Sequence, residues 1–165
     1  HKNHIGLLKA IKLSKEKCKD IHFVFTGSKQ YNYKKIYYWI KKLELERTIT
    51  ILGEVNLKYI RFLYLKASGL FMPTFAGPTS IPPIEALMCN CPMAVSNIYG
   101  MKEQMKKASL YFNPNSVDEM SKAIIKLWNK EERKISLIKE GEKLKDNLSI
   151  LSHKNRILEK KEYYE

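Results

Sequence analysis

One loop of this sequence combines features that bind phosphate with a side chain that binds sugar hydroxyls. Residues 73–87 lead from an apolar, strand-like run into a helix start that contains two prolines. We expect the backbone N–H groups of Thr79, Ser80 and Ile81 to point at an anion, which the helix dipole also favours. Glu85 lies one turn further on, where a carboxylate suits hydrogen bonds to sugar hydroxyls. Because a phosphate joined to a ribose describes a nucleotide, the loop predicts a nucleotide site.

The same loop has a simpler interpretation, which the residues alone leave open. Gly77-Pro78 is also a common turn sequence, and Glu85 could be a surface acid that complements the positive end of the helix.

Two groups of residues resemble metal sites but fit them poorly. Cys89 and Cys91, with His153 far downstream, lack the spacing of zinc ligands, and we interpret the cysteines as buried thiols. His1 and His4 lie one helical turn apart without a carboxylate at matching spacing, which favours a surface helix start. The sequence therefore predicts no metal site.

Stretches typical of helices and of strands alternate along the chain. The spacing of apolar residues predicts helices over residues 5–17, 33–43, 58–67, 82–88 and 115–128, and a mostly helical tail from residue 130. Short β-rich runs predict strands over residues 21–26, 48–52, 69–72, 93–95 and 110–112. Ser116 and Glu119 fit a capping box at the start of a helix. Trp39 and Trp128 lie on apolar helical faces, which indicates core packing.

This alternation predicts an α/β fold with a Rossmann-like parallel sheet and flanking helices. Open sheets of this kind bind ligands at the carboxyl ends of their strands. We therefore expect the site in the loops after Thr26, Leu52 and Met72.

The charge of the chain points to an anionic partner. The chain contains 30 Lys and Arg residues and 17 Asp and Glu residues, which gives a formal net charge of +13. Nucleic acid, a membrane surface and phosphorylated ligands would all be attracted to such a surface. However, the lysines occur in small groups between apolar residues, as on solvated helix faces. Three cysteines argue against a disulfide scaffold, and no apolar run approaches transmembrane length.

Six motifs in order resemble the C-terminal donor-binding lobe of glycosyltransferase family 4, which comprises retaining enzymes of the GT-B fold. Residues 75–86 resemble a variant of the family's E-x7-E element that reads F-G-P-T-N-I-P-P-L-E-A. The others are similar to the family's K-N-H helix opening, its second strand with glycine, its F-L-G-x-V strand end, its G-C-P-V-I-A-S segment and its later E and F-x-P elements. They lie at residues 1–5, 24–27, 51–55, 91–96 and 100–114.

The resemblance implies a role for each matching position. Lys2 would reach the donor diphosphate, and Gly53 would let the backbone of Val55 approach the nucleobase. Thr79, Ser80 and Ile81 would offer N–H groups to the phosphate and sugar, and Glu85 would hydrogen-bond the ribose. No catalytic residue can be assigned from these motifs.

The chain departs from the family at two places. Gly77 stands where most members carry the first glutamate of E-x7-E, which normally touches the transferred sugar. The family's lobe also begins with a central strand, and we expect this chain to start just after it, without the acceptor-binding N-terminal lobe. Residues 1–146 would then form the nucleotide-sugar-binding lobe and residues 147–165 a charged helical tail. Without the central strand, the neighbouring strands would lose ladder partners.

The resemblance implies a hexose transfer from a nucleotide diphosphate sugar to a glycan or lipid-linked acceptor, with no cofactor or metal. We expect the enzyme to be cytoplasmic, at an anionic inner membrane surface, with this portion alone inactive. The alternatives are a basic nucleic-acid-binding module, another GT-B enzyme such as a nucleotide-sugar epimerase, and a non-catalytic fragment.

Overall fold

The computed structural model of the protein describes residues 1–28, 33–77 and 81–148. Its helices are α1 (His4–Ser14), α2 (Tyr33–Lys42), α3 (Leu57–Lys66), α4 (Ile81–Met88), α5 (Met101–Met105), α6 (Val117–Asn129) and α7 (Glu131–Leu148). Its strands are β1 (Phe23–Thr26), β2 (Ile49–Gly53), β3 (Leu70–Met72), β4 (Met93–Ser96) and β5 (Leu110–Phe112). The predicted α/β class is confirmed. The predicted division at residue 146 stays a prediction, because residues 149–165 lie outside the described residues.

All strand pairs in the described residues are parallel, but they form two sheets. β1 pairs with β2, and β3, β4 and β5 pair in that order. A bulge after Phe25 shifts the register, so that Thr26 lies opposite Gly53. Since parallel neighbours need a crossover connection, each successive strand is preceded by a helix.

The edges of β1 and β3 border one cavity between the two sheets. Among the described strands, none pairs with the second edge of β1 or with the outer edge of β3. Every residue of both strands lines a cavity of about 1260 Å³, which α3 also borders. Unpaired N–H and C=O groups along a strand edge are a template for another strand. The facing edges of β1 and β3 therefore have no ladder partner among the described strands.

An apolar core shared by α1 and α6 joins the two sheets. Leu8 and Ile11 of α1 are fully buried, and Ile124 of α6 packs in the same cluster. That cluster includes Ile49 from the first sheet and Phe112 from the second, so side-chain packing connects the two halves. Trp39 and Trp128 pack at its margin, in agreement with the prediction for them.

Two local features differ from the sequence prediction. Helix α5 is absent from the predicted elements, because five residues are too few to show helical periodicity. The capping box at α6 is half formed. Ser116 accepts a hydrogen bond from the Glu119 N–H at 3.1 Å, but the Glu119 carboxylate binds the Asn113 N–H at 2.9 Å instead of the Ser116 N–H.

The core predicts a large loss of stability when Phe112 is truncated. Its ring is 1% exposed and stacks on Phe71 with ring centroids 4.6 Å apart. We expect Phe112→Ala to lower the free energy of unfolding by about 3–5 kcal/mol, measured by denaturant titration. The control is Tyr99→Ala, because Tyr99 is 90% exposed. Equal stabilities for the two variants would contradict this account of the core.

Candidate functional site at the carboxyl edge of the strands

The loops after β1, β2 and β3 meet the N-terminal segment at one edge of the structure. The Gly27 N–H donates to the Gly53 carbonyl at 2.8 Å, which joins the loops after β1 and β2. The His1 carbonyl accepts hydrogen bonds from the Phe75 N–H at 2.8 Å and from Thr74 Oγ1 at 3.1 Å. The structure therefore places the predicted loops and the first residues of the chain on the side where open α/β sheets bind ligands.

Hydrogen bonds on both sides hold the segment that carries Lys2. His1 is bound to the loop after β3, and Asn3 Nδ2 donates to the Pro114 carbonyl after β5 at 2.7 Å. Lys2 lies between these anchors with an exposed side chain and borders the cavity. An ammonium group on a fixed backbone, beside loops that are predicted to bind phosphate, is a suitable counter-charge for an anion.

His4 is a half-buried histidine beside Lys2. Its ring packs edge-on against Phe25 with centroids 5.8 Å apart. Burial lowers the pKa of His4 below its ordinary value of 6.5, and the positive charge of Lys2 lowers it further. From the sequence, a surface helix start was favoured for His4 over a metal site, whereas the structure shows its ring half-buried. Its contact with a strand residue 21 positions away explains why its environment was missed.

Gly53 and Val55 form the turn that follows β2. Gly53 is buried with φ 76°, a conformation that glycine adopts without strain. Val55 is half-buried, and Asn56 then caps α3 by accepting the Lys58 N–H at 2.9 Å. The turn brings the Val55 backbone to the same edge as Gly27, while its contact with a nucleobase stays a prediction.

Gly77 has a backbone conformation that a glutamate would strain to adopt. Its φ is 124°, which L-residues with a side chain rarely populate. The local backbone therefore favours glycine over the glutamate that most family members carry at this position. Of the predicted N–H donors, Thr79 and Ser80 lie outside the described residues, and Ile81 begins α4.

Tyr64 holds the Glu85 carboxylate, a partnership that the sequence did not predict. The Tyr64 hydroxyl donates to Glu85 Oε2 at 3.1 Å between α3 and α4, and Glu85 is half-buried. Burial and the hydrogen bond to Glu85 both raise the pKa of Tyr64, so its hydroxyl stays a donor at neutral pH. Glu85 is thus an oriented acceptor, not a freely moving surface acid. The interaction joins residues that are 21 positions apart in the sequence, and no sequence motif predicted it.

The predicted thiol character of the cysteines agrees with their surroundings. Cys91 is buried and Cys89 half-buried, whereas His153 lies outside the described residues. Burial raises the pKa of Cys91 to about 11, so it is a protonated thiol at neutral pH. Within residues 1–28, 33–77 and 81–148, no three His, Cys, Asp or Glu side chains converge as metal ligands would.

Comparison with known proteins identifies the family. The model of the family described as glycosyl transferases group 1 matches residues 1–144. The chain belongs to this family.

Individual relatives of this chain agree with the family match. Over 82 residues it is 38% identical to the O-antigen chain mannosyltransferase RfbU of Salmonella typhimurium, covering 50% of this chain and 23% of that protein. A TarM variant from S. aureus, solved with UDP, Fondaparinux and alpha-GlcNAc-glycerol, has a TM-score of 0.83 at 18% identity over 93% of this chain and 31% of its own. The C-terminal domain of LpcC from Francisella tularensis has a TM-score of 0.79 at 15% identity over 90% of this chain and 80% of its own.

These similarities establish the fold as that of a GT-B glycosyltransferase domain. The matched residues cover about a quarter of the length of the curated relative and about a third of TarM. None of the described helices is long and apolar enough to cross a membrane.

The surroundings of His4 predict that stability falls as the solution is acidified. Because folding lowers the pKa of His4, the unfolded chain binds more protons near and below pH 6.5. We expect the contribution of His4 to the free energy of unfolding to be constant above about pH 7.5 and to fall between about pH 7 and pH 5. Denaturant titration at each pH measures this slope, and His4→Gln should flatten it.

The control for this experiment is His22→Gln, which removes an exposed histidine and should keep the slope. Two carboxylates, Glu44 and Glu140, have pKa values lowered by hydrogen bonds to Lys12 and Lys143. They affect stability only at more acidic pH than this window. An unchanged slope in His4→Gln would show that His4 does not titrate as its burial implies.

Proposed function

We propose that this chain is the donor-binding portion of a retaining glycosyltransferase. The full enzyme would move a hexose from a nucleotide diphosphate sugar to a glycan or lipid-linked acceptor. One observation supports this most directly: Lys2, the loop after β3 and the turn at Gly53 lie at one edge of a chain that matches the family over residues 1–144. The family match favours this function over the nucleic-acid-binding and epimerase alternatives.

In this proposal the chain acts mainly through electrostatics. The bond between the hexose and the diphosphate breaks with charge building up on the leaving nucleoside diphosphate. The Lys2 ammonium would stabilise that charge, together with the N–H groups of Thr79, Ser80 and Ile81. Glu85, held by Tyr64, would accept hydrogen bonds from the ribose hydroxyls, and the Val55 backbone would contact the base. Such fixed groups need no reorganisation during the reaction.

Further features of the function rest on the relatives. RfbU is named an O-antigen chain mannosyltransferase, so we infer polysaccharide biosynthesis and test mannose first as the hexose. The TarM structure contains UDP, which supports a nucleoside diphosphate as ligand of the shared fold. The relatives are about two to three times as long as this chain, and we infer that a second lobe binds the acceptor. We further propose that the net charge of +13 favours an anionic inner membrane face and that the reaction needs no metal or cofactor.

Ligand-induced stabilisation tests the proposed donor site. We expect one of GDP-mannose, UDP-glucose or UDP-GlcNAc to raise the Tm of the full-length protein, because a ligand at 100 times its Kd adds about 2.7 kcal/mol. Lys2→Ala should weaken binding of both nucleotides and inorganic pyrophosphate by about tenfold or more. Glu85→Gln should weaken nucleotides by a similar factor and leave pyrophosphate binding unchanged.

Lys19→Ala is the matched control, because Lys19 is an exposed lysine beyond the opposite end of α1. It should bind all ligands like the parent protein. The proposed site is wrong if no nucleotide sugar stabilises the protein, or if Lys19→Ala lowers affinity as much as Lys2→Ala.

Tyr64 gives a second test of how the ribose is held. Tyr64→Phe removes the hydroxyl that orients Glu85, and we expect the Kd for the nucleotide to rise about threefold to tenfold. Pyrophosphate binding should be unaffected, and isothermal titration calorimetry measures both. Tyr59→Phe is the control, because Tyr59 lies on the same helix and is 67% exposed. If Tyr64→Phe binds the nucleotide as tightly as the parent protein, the Tyr64 hydroxyl is not needed to orient Glu85.

A further inference from the structure

Helix α3 has two faces that differ in what they contact. Ile60, Leu63 and Tyr64 follow the i, i+3, i+4 spacing of one helical face, and all three line the cavity between the sheets. The opposite face has the same spacing and consists of Lys58, Arg61, Phe62 and Leu65, all exposed. Each residue of α3 is described, and none is buried. The outward face of α3 is therefore exposed along the length of the helix.

This outward face is apolar at its centre and positively charged around it. Phe62 is 56% exposed and Leu65 is 55% exposed, and they are neighbours three residues apart. Lys58 and Arg61 lie on the same face as this pair, Lys66 ends the helix beside the cavity, and α3 contains no acidic residue. At the start of the helix, Leu57 is 78% exposed and Tyr59 is 67% exposed. Large apolar side chains at this exposure are stabilised when something removes them from water.

The composition of the outward face matches an anionic lipid bilayer. Helices that lie in a membrane interface place Leu, Phe or Trp in the boundary between headgroups and acyl chains and carry Lys and Arg beside them. Acidic headgroups supply negative charge, which would attract Lys58 and Arg61. The apolar side chains project from a single helix, so they can insert between the headgroups of a fluid bilayer.

We propose that the Lys58–Arg61–Phe62–Leu65 face of α3 is the surface that docks this protein on an anionic membrane. The inference rests on the proposed membrane location and assigns it to one helix. Tyr64, on the inward face of the same helix, holds Glu85. Docking through α3 therefore places the proposed donor site close to the bilayer, where lipid-linked acceptors reside.

Vesicle co-sedimentation tests the assignment. The parent protein should bind vesicles of equimolar phosphatidylcholine and phosphatidylglycerol and should bind pure phosphatidylcholine vesicles weakly. Phe62→Ser combined with Leu65→Ser should lower the affinity for the mixed vesicles by at least about tenfold, because two large apolar side chains are lost from the interface. Lys58→Glu combined with Arg61→Glu should remove the preference for anionic lipid. Thermal unfolding should show both variants folded, since the substituted side chains are exposed.

Tyr37→Ser combined with Tyr38→Ser is the control, because these exposed aromatic residues lie on α2. It should bind mixed vesicles like the parent protein. The proposal is overturned if the parent protein does not distinguish the two vesicles, if the α3 variants bind like the parent, or if the α2 variant loses as much affinity. Binding through another surface would leave the membrane location standing, and nucleotide-induced stabilisation reports on the donor site independently.

Discussion

The packing of α1 against α6 is the constraint on which the rest of the structure depends. The two sheets share no backbone ladder in the described residues, and a cavity separates β1 from β3. What aligns them is the apolar core beneath both, supplemented by a buried contact of 3.1 Å between the hydroxyls of Ser14 and Ser121. Side-chain packing is less directional than a hydrogen-bonded ladder, so close packing of this layer must preserve the relative position of the strand ends.

The same helix connects this core to the proposed site. α1 begins at His4, directly after the segment that carries Lys2, and its body is buried in the shared core. The bonds from His1 to the loop after β3 and from Asn3 to the loop after β5 attach the start of the helix to both sides of the strand edge. Lys2 therefore has a position that is fixed by tertiary packing, although its own side chain is exposed.

Local patterns allowed the strands and most helices to be predicted, whereas contacts between distant segments did not follow from them. β1 and β2 are β-rich runs that end at Gly27 and Gly53, which sequence patterns detect well. The Tyr64–Glu85 hydrogen bond depends on how α3 and α4 pack, and no periodicity within either helix reveals it. The altered partner of Glu119 has a similar cause, because the Asn113 N–H that it binds belongs to the preceding turn. The family resemblance supplied the residues of the site, but the surroundings of those residues came from the structure.

The glycine at position 77 changes the charge balance of the proposed site. The resemblance implies that the family's acid at this position touches the transferred sugar. A carboxylate there would also repel a departing diphosphate nearby. With Gly77 at φ 124°, this chain has no side chain at that point, and the backbone is shaped accordingly. In the proposed site, the positive charge of Lys2 would act on the diphosphate without an opposing side-chain charge at position 77. In the proposed enzyme, backbone groups of the loop or the proposed second lobe would then have to hold the sugar, and selectivity for the hexose would not depend on a side chain at position 77.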